Sequence, residues 1–254
     1  MTAVLRVEDI TVRYGALVAL DKLSWSVAPG EILGIIGPNG AGKSSCFAAV
    51  TNSVAHAGRV FLGGEDVTAL GADTLALRGL RRTFQQNSFF GDFSVLHNAV
   101  AAILAEYSTG LVTAIARPWR EAEMRHRAEA RAASLLEEFG IGTEYHDRRP
   151  TEIPYGVQRL LSVALAYGVG TQVVLLDEPA AGMGGEDMKE LARLLLDIRA
   201  RNVAVVLIEH HMDLVMNVAD RIIVIDQGRF LTEGPPADIQ QDARVLDAYL
   251  GHAA

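Results

Sequence analysis

Gly37-Pro38-Asn39-Gly40-Ala41-Gly42-Lys43-Ser44 is the stretch that decides the fold. It reads G-x-x-x-x-G-K-S, the spacing of a phosphate-binding loop. Ile32-Leu33-Gly34-Ile35-Ile36 before it is a short branched apolar run, as expected of a strand buried in a parallel sheet. Ser45-Cys46-Phe47-Ala48-Ala49-Val50 after it can continue as a helix. A nucleotide phosphate needs many N–H donors at short range and no side chains in the way. Gly37, Gly40 and Gly42 let the main chain approach, and the helix that follows offers unpaired N–H groups and the positive end of its dipole. Lys43 adds a mobile charge for the outer phosphates, and the Ser44 hydroxyl can ligate Mg²⁺.

Composition bounds what surrounds this loop. The chain has 254 residues, half of them hydrophobic, enough for one large or two small domains. The formal net charge of −8 argues against general affinity for nucleic acid, so no nucleic-acid partner is expected. A single cysteine, Cys46, excludes an internal disulfide and reads as a small packing residue on the helix after the loop. Met1-Thr2-Ala3-Val4-Leu5-Arg6 lacks the apolar core of a signal peptide. No apolar run approaches the ~18 residues of a membrane span, so the expectation is a chain that reaches a membrane only through a partner.

Upstream of the loop, residues 4 to 27 alternate like strands: Val4–Val7, Ile10–Tyr14, Val18–Leu20 and Leu23–Val27, an antiparallel β layer. Tyr14, an aromatic before Gly15, reads on its own as a strand residue packed on the sheet. Downstream come a strand near Val60 and a short helix over 72 to 78, then a strand from Arg81 that ends in the amides Gln85 and Gln86. From Asn87 to about Gly140 the pattern turns helical, with stretches over 95 to 107 and 121 to 139. The mixed charges of Arg125–Arg131 read as a solvated helix face, with Leu135, Leu136 and Phe139 on its buried side. The α/β rhythm returns with Val173–Leu176 ending in Asp177-Glu178, and with Val203–Ile208 ending in Glu209-His210-His211. A strand at Arg221–Ile225, the turn Gln227-Gly228 and a final helix over 245 to 250 complete the chain.

Ligands of parallel α/β sheets bind at the carboxyl ends of strands. Three such ends carry polar groups here: the phosphate loop, Asp177-Glu178 and His210. Asp177 would hold Mg²⁺ beside Ser44, Glu178 would polarise the attacking water as general base, and His210 could donate to the γ-phosphate.

Tyr14, Gly37–Ser44, Gln85, Ile153-Pro154-Tyr155-Gly156-Val157-Gln158-Arg159, Leu176-Asp177-Glu178-Pro179 and His210 fall in the order of the motifs of ABC-transporter ATPases, and the chain resembles that family over nearly its whole length. The resemblance makes them the adenine-stacking aromatic, Walker A, the Q-loop glutamine, the signature segment, Walker B with its glutamate, and the switch histidine. It implies an α/β fold: a P-loop NTPase (RecA-like) core with an N-terminal antiparallel β layer, residues 1–86 and 160–254, and an inserted helical subdomain, 87–159, that includes the signature. It places ATP on Tyr14, on Gly37, Pro38, Asn39, Gly40, Ala41, Gly42, Lys43, Ser44 and Ser45, and on Gln85 and Asp177. Tyr155 and Gly156 would serve a nucleotide held by a partner. Mg²⁺ would fall to Ser44, Gln85 and Asp177, and catalysis to Glu178, His210, Lys43 and Gln85.

More narrowly, Arg82-Thr83-Phe84-Gln85, Tyr155-Gly156, Glu178–Gly182, Ile208-Glu209-His210 and the tail Ala248-Tyr249-Leu250-Gly251 resemble the ATP-binding subunits of branched-chain amino-acid importers, the LivG type. Such subunits imply an ATPase paired head to tail with a second ABC ATPase, identical or not. Transmembrane permease subunits would carry the pair on the inner, cytoplasmic face of the cell membrane. This chain departs from the family pattern at Pro154, Val157, Gly184 and His211, where a small residue, a polar residue, Asp or Asn, and Asp are usual. The first three lie on the surface offered to the partner's nucleotide, so a weakened partner site is expected while the chain's own site keeps its groups. Two other readings are a nucleotide-gated subunit with weak hydrolysis and a soluble ABC ATPase outside transport. Against the latter stand the acidic charge and the lack of a long coiled coil or a second ATPase unit.

Overall fold

The computed structural model describes residues 2–83, 89–106, 118–168 and 170–250. They form two compact units: Met1–Thr83, Gly170–Ala181 and Leu191–Ala254 make the first, and Phe84–Val169 with Gly182–Glu190 the second.

The first unit holds two sheets. Strands β1 (Leu5–Tyr14), β2 (Leu17–Val27), β4 (His56–Leu62) and β5 (Glu65–Asp66) form an antiparallel sheet in the order β2-β1-β4-β5. Each of the first two is one strand where the sequence pattern suggests two. Alternation fails at Asp9 and Lys22 because both residues take positive φ, 50° and 52°, and the register shifts around them. These are bulges, which bend a strand without ending it. Side chains hold them: the Asp9 N–H donates to Ser24 Oγ at 2.8 Å, and the Lys22 N–H to Thr11 Oγ1 at 3.1 Å.

The second sheet runs β10-β9-β3-β8-β7-β6, from β3 (Ile32–Ile36), β6 (Leu80–Arg82), β7 (Val173–Asp177), β8 (Ala204–Ile208), β9 (Arg221–Asp226) and β10 (Arg229–Gly234). All of its pairings are parallel except β9 with β10. Every residue of β3, β7 and β8 is buried, which is why those segments are unbroken apolar runs. The parallel order sets the carboxyl ends of β3, β7 and β8 side by side. Helices α1 (Lys43–Val50) and α2 (Ala72–Leu77) follow β3 and β5. The core runs from Leu5, Ile10 and Leu23 of the antiparallel sheet through Phe47 and Cys46 of α1 to Leu33, Val206 and Ile223. Fully burying each such aliphatic side chain is worth about 1.5–3 kcal/mol.

Cys46 is fully buried, and the Trp25 indole N–H donates to its Sγ at 3.3 Å. Burial pushes the thiol up to about 12, against the Trp25 hydrogen bond and the Arg82 charge. Since the thiolate is the reacting form, N-ethylmaleimide at pH 8 should label the native chain about a thousandfold or more slower than the urea-unfolded chain. Comparable rates would show that the helix opens readily.

The second unit contains α3 (Val95–Glu106), α4 (Pro118–Glu138) and α5 (Tyr155–Ala166). α4 begins at a proline, which suits a first helical position because its missing N–H would be unpaired there anyway. Leu135, Leu136 and Phe139 are buried, while Arg127 pairs with Glu123 on the outer face at 2.6 Å. α6 (Gly185–Ala200) starts among residues of this unit and ends in the first. α7 (Met212–Val218), α8 (Pro236–Gln241) and α9 (Ala243–Leu250) close the chain in the first unit. The strand β10 and helix α8 are absent from the sequence reading. The tight Gln227-Gly228 turn and the Pro235-Pro236 pair were their signals.

Candidate functional site

Residues 37 to 45 wrap the amino end of α1. A cavity of about 630 Å³ opens there, lined by Tyr14, Leu17, Val18, Ala19, Asn39 to Ser45, Glu178, His210 and Gln227. Two glycines fix the loop. A Cβ on Gly37 would collide with the carbonyl oxygen of Ile225, and one on Gly42 would lie 2.5 Å from that of Ala19. Gly42 also takes φ 99°, open to glycine at little cost, and stands at the N-cap of α1 without any side-chain cap. The first turn of α1 therefore presents its N–H groups to the cavity and carries no acidic residue that would repel an anion.

Lys43 is buried, and its Nζ donates to the carbonyls of Gly37 at 2.7 Å and Pro38 at 2.9 Å. Burial pushes its ammonium down, opposed by the charges of Glu178 and Asp177. Two carbonyls that a phosphate could displace thus hold the cation inside the loop.

The carboxylate end is built by β7 and β8. Asp177 pairs with Ile208 as the last rung, and the Glu178 N–H donates to the Ile208 carbonyl at 2.9 Å. Glu178 then takes φ 51°, which turns its side chain out of the strand alternation and toward His210. Nε2 of His210 and Oε1 of Glu178 are 2.7 Å apart, a hydrogen bond donated by the imidazole when Nε2 carries the proton. Asp177 is buried. Its N–H donates to Thr83 Oγ1 at 3.2 Å, and its Oδ2 accepts from Arg82 Nη2 at 2.8 Å. Burial pushes the Asp177 carboxyl up, and Arg82 and Lys43 oppose this.

Oδ1 of Asp177 is buried without a hydrogen-bond partner. A buried unpaired carboxylate oxygen is costly unless something else uses it. It is a hard oxygen donor of the type Mg²⁺ selects. No group of three His, Cys, Asp or Glu able to hold a metal occurs among the described residues.

Tyr14 is 49% exposed at the cavity wall beside Leu17 and Val18, a flat apolar face at one end with the phosphate loop at the other. Gly37 and Pro38 of the loop serve as acceptors for Lys43, and Ser45 lines the cavity. Gln85 lies outside the described residues, as do Phe84 and Gly251.

Tyr155 and Gly156 belong to the second unit. Pro154 is the N-cap of α5 and gives no side-chain cap hydrogen bond. The Tyr155 hydroxyl bonds Arg159, whose guanidinium lies 4.9 Å from the ring centre. The carboxylate of Asp187 lies against Gly156 where a Cβ would stand. Val157 is the third residue of the helix, and Gly184 just precedes α6.

Arg82, Thr83, Gln227 and Glu209 bear on the site without a role in the sequence reading. Arg82 and Thr83 lie more than 90 residues from the Asp177 they hold, a separation that no local pattern reports.

Residues 20–181 match the family model described as ABC transporter, and residues 231–254 match the one described as branched-chain amino acid ATP-binding cassette transporter. The chain is 35% identical over 251 residues to the high-affinity branched-chain amino acid transport ATP-binding protein LivG of Escherichia coli, with 98% of each chain covered. It is 34% identical over 252 residues to BraF of Pseudomonas aeruginosa, again with 98% of each covered. It is also 30% identical over 252 residues to a lipopolysaccharide export system ATP-binding protein, LptB of Acidithiobacillus ferridurans, covering 99% of this chain and 98% of the relative, so relatives of this size differ in what they move. Among solved structures, the ADP conformation of an ATP-binding cassette of an ABC transporter superposes with a TM-score of 0.85 at 28% identity, covering 99% of this chain and 100% of that one. The phosphate loop, the paired strand ends and these likenesses along the whole chain agree: the chain belongs to the ABC transporter family and is an ATP-binding cassette, an ATPase of that family.

Proposed function

We propose that the chain is the energy-coupling ATPase of an importer for branched-chain amino acids or related small polar solutes. The observation that carries the catalytic reading is the 2.7 Å pair of Glu178 with His210 at the mouth of the phosphate-loop cavity. In this reading Tyr14 stacks the adenine, and the residues from Gly37 to Ser45 cradle the phosphates. Lys43 leaves the Gly37 and Pro38 carbonyls for the outer phosphates. Glu178 takes a proton from the attacking water, and the His210 Nε2–H, which meets the Glu178 carboxylate at 2.7 Å, is the donor that would turn to the γ-phosphate. Ser44, Asp177 and Gln85 would hold Mg²⁺, which when bound neutralises charge developing between the outer phosphates. Asp177 presents Oδ1 because Arg82 occupies Oδ2. Positioning and charge neutralisation are what phosphoryl transfer to water asks of a protein.

The nature of the cargo rests on the likeness to LivG and BraF and on the matching tail at 231–254. The same likeness supports head-to-tail pairing with a second cassette and seating on permease subunits at the inner face of the membrane. No described helix is long and apolar enough to cross a membrane. The helical insertion proposed at 87–159 would meet the permease. The test is uptake of radiolabelled leucine, isoleucine and valine by cells with the gene deleted. Uptake falls to background and returns with the wild-type gene but not with Lys43→Ala. Undiminished uptake of all three overturns the cargo. Absence of MgATP hydrolysis by the purified chain with its partners overturns the motor.

A further inference from the structure

Beyond the rung formed by Asp177 and Ile208 the two strands diverge: one turns through Glu178-Pro179-Ala180-Ala181, the other through Glu209-His210-His211. One side chain bridges them there. Glu209 is only 2% exposed, and main-chain donors meet its carboxylate from both arms. Its Oε1 accepts the Ala180 N–H at 2.6 Å, and its Oε2 accepts the N–H groups of His210 at 2.9 Å and His211 at 3.2 Å. Charge-assisted bonds of this kind are stronger than neutral ones, and in a buried place they are costly to leave unmet.

We infer that Glu209 is a positioning residue for ATP cleavage, a buried carboxylate clamp that sets the separation of Glu178 and His210; this rests on the roles proposed for those two side chains. Glu209 touches neither. It fixes the main chain at His210 itself and two residues beyond Glu178, where the Ala181 N–H closes the turn on the Glu178 carbonyl at 3.1 Å. That turn needs fixing, because Glu178 sits at φ 51°, a conformation an unbranched side chain abandons when its surroundings allow. With both arms tied to one carboxylate, a displacement of either moves the other. The clamp also anchors the start of the segment leading to Gly184, the surface proposed to face the partner cassette. A carboxylate is needed because donors approach both oxygens. An amide has a single accepting oxygen, and its NH₂ group would face an N–H.

The experiment is single-turnover hydrolysis of MgATP by the full chain, with MgATP affinity measured in parallel, for Glu209→Gln, His210→Ala and the double variant. Glu209→Gln should lower the cleavage rate about ten- to a hundredfold, since misplacing a reacting group by about 1 Å has that effect. Its MgATP affinity should stay within about threefold of wild type, because Glu209 does not line the cavity. In the His210→Ala background, where the pair is already lost, the same change should cost less than about threefold. If Glu209→Gln does not fold, Glu209→Asp keeps both oxygens with a shorter reach and should slow cleavage at least about threefold at unchanged affinity. A wild-type rate in the folded variant, or losses from Glu209→Gln and His210→Ala that simply multiply, overturns the clamp and leaves the proposed catalytic pair standing. A wild-type rate in His210→Ala overturns that pair and the clamp with it.

Discussion

Glu178→Gln should leave the chain folded and able to bind MgATP while slowing ATP cleavage by about a hundred- to ten-thousandfold, the usual share of a general base. The replacement is nearly isosteric, and the amide oxygen can still accept from His210, so the 2.7 Å contact can survive. What disappears is the negative charge and the site that would take the water's proton. Affinity should hold because the groups proposed for the phosphates, the first turn of α1 and Lys43, are untouched. Rapid-quench single turnover with excess chain reads the cleavage step directly, and a rate within threefold of wild type would remove Glu178 from the reaction. In the assembled transporter the same variant asks a second question. If Pro154 and Val157 weaken the site this chain completes for its partner, steady-state turnover runs mainly through this chain's own site and should collapse with Glu178→Gln. Turnover near wild type would show that asymmetry in this direction is wrong.

Lys43→Ala should weaken MgATP binding by about ten- to a hundredfold, since hydrogen bonds to a charged group are worth about 1.5–3 kcal/mol. The ammonium is already desolvated and held by the Gly37 and Pro38 carbonyls, so bringing it to a phosphate costs little further loss of water. Titration with a fluorescent ATP analogue measures the loss, and affinity within twofold of wild type would mean that the main-chain cradle alone binds the phosphates. The fold should tolerate the change. Burial pushes the lysine down from its ordinary value, so the unfolded chain binds that proton more tightly than the folded one. Wild-type stability therefore gains as pH rises through the folded-state value toward the ordinary one, and the alanine variant lacks that gain.

The phosphate loop was legible because strand, glycines, lysine and helix are neighbours in the chain and each is dictated locally. The ends of β7 and β8 were legible for a related reason: unbroken apolar runs stop at Asp177 and at Glu209, and a stop of that kind marks the edge of the buried sheet. Contacts across the sheet were not legible. Nothing near Arg82 announces that it neutralises Asp177, and Glu209 looks like one more polar residue at a strand end until Ala180 is seen beside it. The bulges at Asp9 and Lys22 broke the alternation, which reads as a gap although the pairing continues past them. Gln85 carries the largest part of the expected site that lies outside the described residues.

Two residues lining the cavity, Glu178 at φ 51° and Gln227 at φ 46°, hold left-handed backbone conformations that side chains with a Cβ disfavour. Glycine would relax both, by about 1 kcal/mol or more each. At Glu178 that gain would delete the proposed base. A selection for heat-resistant versions of this chain would therefore be drawn to the very position it must leave alone. If Glu178 is the base, the thermal tolerance of the cassette and its rate of ATP cleavage are set against each other at a single backbone angle.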